Sequence, residues 1–117
     1  MARLSTHVLD SARGVPAEGI RIELRFRTGD SWHRVAEAVT NADGRTEQPL
    51  LSGEWLETGV YELLFHAGDY FRRTAPSTPE PAFLDEIVVR FGIHDATRNY
   101  HVPLLVSPHS YTTYRGS

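Results

Sequence analysis

The sequence predicts an all-β domain, a sandwich or barrel of seven or eight short strands. Three observations predict it. Apolar and polar residues alternate with period 2 in several separate runs. Turn-forming dipeptides and proline-rich stretches punctuate those runs. Only one short segment has room for a helix.

Taken in order, Arg3–Leu9 reads as a first, weaker strand, followed by a loop at Gly14–Gly19. Ile20 to Arg27 alternates cleanly: Ile20, Ile22, Leu24 and Phe26 face one way, and Arg21, Glu23, Arg25 and Arg27 the other. Val35–Thr40 is a weaker strand. Asp43-Gly44 is a tight-turn dipeptide that reads as a hairpin turn, and Ser52-Gly53 reads as a loop. Tyr61, Leu63 and Phe65 mark the next strand, and a short helix fits Asp69–Thr74. Ala75 to Pro81 carries three prolines and must be an irregular connection. Ile87, Val89, Phe91 and Ile93 form another row, as do Tyr100, Val102, Leu104 and Val106; Tyr111–Arg115 is a last, weaker strand.

The 117 residues fit a single domain spanning 1–117. A chain of this size buries only about two-thirds of its unfolded surface, so self-association would add to a modest core. With a net charge of −3, no nucleic-acid partner is expected. Lysine and cysteine are both absent. This excludes thiolate nucleophiles, disulfides, cysteine-bound zinc and Schiff-base lysines. Six histidines, twelve arginines, carboxylates and hydroxyls remain for chemistry. No apolar run reaches the roughly 18 residues of a membrane span, so no membrane partner is expected. A strand pattern beginning at Arg3 leaves no room for a leader, making the cytoplasm the expected compartment.

His7 alternates with Ser5 and Leu9, opposite Leu4, Thr6 and Val8, and so faces outward if the second set is core. By itself such a histidine is more often a surface hydrogen-bonding group than a catalytic one. His101 shares a row with Pro103 and Leu105. That row is also rather apolar, so its strand reads as covered on both faces, the second cover being another subunit. Pro103 cannot donate to a ladder and suggests an edge or a bulge. Arg45, leaving the Asp43-Gly44 turn, is either a solvated arginine or one aimed to hold a planar anion. The end, Tyr111 to Ser117, is either an ordinary edge or built into a site. His33, His66, His94 and His109 lack metal-binding spacing. His7 and His101 would need a third ligand, and position 99 is Asn rather than His.

Three motifs together resemble the 5-hydroxyisourate hydrolases, or transthyretin-related proteins. They are Leu4-Ser5-Thr6-His7-Val8-Leu9-Asp10, Thr40-Asn41-Ala42-Asp43-Gly44-Arg45, and the stretch from Phe91-Gly92-Ile93 through Tyr100-His101-Val102-Pro103-Leu104-Leu105 to Tyr114-Arg115-Gly116-Ser117. They frame nearly the whole chain, and the terminal tetrapeptide is the most specific. Transthyretin itself shares the fold but lacks the two histidines, the arginine and this ending.

The resemblance implies a transthyretin-like (prealbumin-like) β-sandwich of two four-stranded sheets with one short helix. It implies a homotetramer, a dimer of dimers, with active sites in the channel where dimers meet. The implied reaction opens the N1–C6 bond of 5-hydroxyisourate, a small planar anionic purine derivative of urate degradation. The product is 2-oxo-4-hydroxy-4-carboxy-5-ureidoimidazoline, and no cofactor or metal is implied. His7, Arg45, His101 and Tyr114 match the family's functional positions, with Ser117 supplying the chain end. His7 and His101 share the base and acid roles, unassigned between them; Arg45 holds the anion and the attacked carbonyl; Tyr114 contacts the ring. Family members often read His-Tyr-His where this chain reads Asn99-Tyr100-His101. The competing expectation is a catalytically inactive carrier of a small aromatic ligand, whose channel would have no need of two histidines and an arginine. An adhesion or scaffold sandwich would leave the terminal motif unexplained.

Overall fold

Alternating strands bury one face each, and two sheets meet over that face. The computed structural model describes residues 2–116. Among them run β1 (Arg3–Asp10), β2 (Val15–Pro16), β3 (Arg21–Thr28), β4 (Ser31–Val39), β5 (Leu51–Ser52), β6 (Gly59–His66), α1 (Ala67–Thr74), β7 (Glu86–Ile93), β8 (Tyr100–Val106) and β9 (Tyr111–Thr113). One sheet has the order β4-β3-β6-β7, antiparallel throughout. The other has the order β2-β1-β8-β9, with β5 also paired to β1. It therefore carries a fifth strand beyond the expected four. β2 and β5 are two-residue strands lying end to end along the same edge of β1. The β1–β8 pairing is parallel.

The core lies between the sheets. Leu4 and Val8 of β1, Ile22 and Leu24 of β3, Leu63 and Phe65 of β6, and Leu104 and Val106 of β8 are all fully buried. α1 follows β6 without a break, beginning two residues before the expected Asp69. It buries Ala67, Gly68, Tyr70 and Phe71, an i, i+3, i+4 stripe, and keeps Asp69, Arg72 and Arg73 outward. The Tyr70 hydroxyl donates to the buried Asp10 carboxylate over 2.7 Å, tying the helix to the end of β1.

Two expectations need correcting. β4 begins at Ser31, not Val35, because Thr28 and Ser31 already pair across the Gly29-Asp30 turn. A register shift between Leu24 and Arg25 breaks the alternation that would have revealed it. Nor is Pro103 on an edge: β8 lies between β1 and β9. Pro103 interrupts the β8–β9 ladder instead, which stops at Leu104–Thr113 and resumes as an isolated bridge between His101 and Gly116.

Candidate active site

The outer face of the β1–β8 sheet collects the residues singled out in the sequence. Leu4, Thr6, Val8 and Asp10 point into the core, so Ser5, His7 and Leu9 point outward and are half-buried. The parallel register sets Ser5 opposite His101 and His7 opposite Pro103. His7 in turn bridges Arg45 on the other side of β1. Continuing the register between Leu104–Thr113 and His101–Gly116 sets Tyr114 opposite Pro103. Two rows therefore cross the sheet: Arg45, His7, Pro103 and Tyr114, and beside it Ser5, His101 and Gly116.

The loop that presents Arg45 is built by Asn41. Its side-chain oxygen accepts from the amides of Asp43 (2.9 Å) and Arg45 (3.2 Å). Its own amide donates to the Arg45 carbonyl over 2.8 Å. Asp43-Gly44 is therefore not a hairpin between neighbouring strands, as the sequence suggested, but an Asn-closed loop docked on β1. Gly44 makes that docking possible. It has φ +76°, and a Cβ there would stand 2.3 Å from the Val8 carbonyl oxygen. The Val8 amide donates to the Gly44 carbonyl over 2.8 Å. His7 Nε2–H donates to the Asp43 carbonyl over 2.8 Å, which puts that proton on Nε2 and fixes the ring against the loop.

His101 is held from both sides. Its Nδ1 lies 2.9 Å from Ser5 Oγ. On the opposite edge, a Cβ on Gly116 would come within 3.1 Å of His101 Cδ2. Burial holds the His101 imidazole below its ordinary pKa, and the charges of Arg45 and His7 push the same way. The neutral ring is thus the form present near pH 7.

The tail is pinned to β8. The Gly116 amide donates to the His101 carbonyl over 2.6 Å. Arg115 turns away from the histidine row: its guanidinium sits 4.3 Å over the Tyr100 ring and donates to the Asn99 carbonyl over 3.2 Å. The Asn99 side chain accepts the Arg3 amide over 3.1 Å. The residue that departs from the family's frequent histidine therefore joins the start of β1 to the tail. Tyr114 is 58% exposed on the outer face. Ser117 lies outside the described residues.

A hollow of about 210 Å³ adjoins the rows, lined by Arg3, Ser5, Arg45, Thr46, Glu47 and Gln48 among others. His66 is engaged elsewhere, 2.8 Å from the Glu23 carboxylate on the other sheet. Among the described residues, no three His, Cys, Asp or Glu side chains come together as a metal site would require. Among the described residues, no helix is long and apolar enough to cross a membrane. Sequence reasoning missed three contributors: Ser5, the Asp43 carbonyl and the Asn99–Arg115 contact. Their roles follow from parallel pairing and loop docking, which leave no local pattern.

The model of the HIUase/Transthyretin family matches residues 4–116. The chain belongs to this family. Among family members, the 5-hydroxyisourate hydrolase of Pseudomonas aeruginosa is 57% identical over 117 residues, covering all of this chain and 93% of that one. The 5-hydroxyisourate hydrolase 2 of Rhizobium meliloti is 55% identical over 115 residues, covering 98% and 96%. Among solved structures, Klebsiella pneumoniae 5-hydroxyisourate hydrolase superposes over the full length of both chains with a TM-score of 0.82 at 33% identity. (S)-Allantoin synthase superposes with a TM-score of 0.92 at 46% identity over 99% of this chain, which spans only 44% of that longer one. Sea bream transthyretin in complex with thyroxine superposes with a TM-score of 0.87 at 32% identity, covering 98% and 95%.

Proposed function

We propose that this chain is a hydrolase that opens 5-hydroxyisourate at the N1–C6 amide in urate degradation. The ring-opening product is a ureidoimidazoline carboxylate. The observation that carries the reading is the pair of rows on the outer face, where two histidines and an arginine meet the tail. Hydrolysis of a cyclic amide needs an activated water, a stabiliser for the oxyanion that forms on C6, and a proton for the departing nitrogen. His101, uncharged near neutral pH, suits proton removal from water. His7 and His101 together carry the proton transfers. Arg45 holds the substrate anion and the attacked carbonyl, and Tyr114 hydrogen-bonds the ring. Ser117 belongs to the same reading as the last residue of the Tyr114-Arg115-Gly116-Ser117 motif. No cofactor enters the scheme.

The same reading includes one catalytic domain over residues 1–117, acting in the cytoplasm. It also includes a homotetramer, a dimer of dimers, with the outer faces turned toward each other. Half-buried Leu9 and Leu105 and exposed Tyr114 on that face support it.

The likeness to a thyroxine-binding transthyretin favours a second reading, a small-ligand carrier. Two histidines oriented by hydrogen bonds argue against it, because a carrier channel relies on apolar walls with few polar anchors. Freshly made 5-hydroxyisourate, generated from urate by a uricase, decays in the ultraviolet. Stoichiometrically small amounts of the chain should accelerate that decay with multiple turnovers. Unchanged decay, together with tight binding of an aromatic ligand, would leave the carrier.

A further inference from the structure

We infer that Ser5 is the positioning residue for His101: its hydroxyl accepts the Nδ1–H, leaving the lone pair on Nε2 and making His101 the general base. This rests on the hydrolytic reading above and deepens it.

The argument begins with register. Ser5 and His101 are directly paired across the parallel β1–β8 ladder, so their side chains leave the sheet side by side. Ser5 Oγ stands 2.9 Å from Nδ1 on the β1 side of the ring. Gly116 backs the Cδ2 edge on the β9 side, where an added Cβ would stand 3.1 Å from Cδ2 and press on the ring. With those two edges occupied, the Cε1–Nε2 edge points away from the sheet, toward the face that also bears His7 and Arg45. A turn of the ring by 180° would exchange a hydrogen bond for a Cδ2–hydroxyl contact, so one orientation is held.

A serine hydroxyl can give or take a proton, and the choice decides the chemistry. If Ser5 donated to Nδ1, the ring proton would sit on Nε2 and the outward edge would be a donor. If Ser5 accepts, the outward edge is a bare nitrogen. The Arg45 guanidinium on the same face favours a lone pair there over an N–H. The lowered pKa of His101 keeps that lone pair free near neutral pH. Nε2 then takes a proton from water as the oxygen adds to C6. The imidazolium keeps its Nδ1–H on Ser5 and can return the other proton to the nitrogen released when the C–N bond breaks. Atoms and charge balance with water alone.

Among the described residues, the charged and titratable groups on or beside this face are Arg3 and His7 of β1, Arg45, Glu47 in the hollow next to it, and Tyr114 of the tail. Ser5 is uncharged, so its removal alters the proton's position on His101 without altering that field.

The test uses the full chain labelled with ¹⁵N, with the His101 ring signals assigned by their loss in His101→Asn. Long-range ¹H–¹⁵N correlation near neutral pH should show Nδ1 protonated in the parent protein. In Ser5→Ala the proton should redistribute toward Nε2. Its kcat should fall about 10- to 100-fold with KM little changed, the scale of losing a second-layer partner. Its acidic limb should move to lower pH, because the imidazolium loses its acceptor. Ser5→Thr keeps a hydroxyl and should restore both tautomer and rate. A parent protein protonated on Nε2, or a Ser5→Ala variant with unchanged tautomer and kcat, would overturn the proposal. If the tautomer responds to Ser5→Ala but no variant hydrolyses 5-hydroxyisourate, the hydrolytic reading falls while the Ser5–His101 coupling stands.

Discussion

At His101 three influences act in one direction: burial, the Arg45 charge and the His7 ring all disfavour the imidazolium. Turnover should therefore hold through neutral pH and fall only as the pH drops through a value below the ordinary 6.5, where the base becomes protonated. A pH–kcat profile with its acidic midpoint above 6.5 would contradict this. Stability follows the same sign. Between 6.5 and the lower folded value, the unfolded chain binds a proton that the folded chain refuses, so this group costs stability as the pH falls below 6.5. His7→Asn and His101→Asn should each lower turnover by about 10²-fold or more with unchanged circular dichroism, the scale of a lost acid–base group. Near-parental rates in both would remove them from the chemistry. His7 and His101 were legible because alternation alone puts them on an outward row. Ser5 was not: a hydroxyl two residues before His7 acquires meaning only once β1 and β8 are known to be parallel and in register.

Two short elements aim the site, and each can be tested by itself. The Asn41–Arg45 loop depends on Gly44, where any side chain would meet the Val8 carbonyl and force an unfavourable φ. Gly44→Ala should cost about 2 kcal/mol in denaturant unfolding, the range of such backbone strain, and should lower turnover by displacing Arg45. Unchanged stability would mean that the loop re-docks freely. The tail depends on the Gly116–His101 bridge and on Arg115 over Tyr100. Deleting Tyr114–Ser117 should collapse turnover while the β-sheet spectrum survives, since the buried rows lie upstream; full activity in the truncated protein would make this segment dispensable. The long strands could be read from period-2 rows because burial on one face imposes that pattern. β2 and β5 could not, since two residues carry no period. Asp43-Gly44 misled for a related reason: a turn dipeptide reports a reversal, not which strand the chain meets afterward.

At the scale of the whole molecule, the outer surface of the β1–β8 sheet is the face that assembly would cover. His101 and Leu105 remain half-buried and Pro103 is already buried within one chain, while Tyr114 lies exposed beside them. Light scattering at micromolar concentration should give a tetramer, and dilution to monomer should abolish turnover; a stable, active monomer would refute the assembly. Sheet order lay beyond sequence reading altogether, because alternation says which face a residue takes and nothing about its neighbouring strand. That order has a kinetic consequence. The antiparallel pairs of the β4-β3-β6-β7 sheet reach no farther along the chain than from Ile22 to Phe65, whereas Ser5 and His101 are separated by 96 residues. Closing so long a loop loses more chain entropy before any contact repays it, and parallel pairs of this kind form slowly. The polypeptide can thus acquire the β4-β3-β6-β7 sheet before Ser5 and His101 meet, which makes the candidate site a late product of folding.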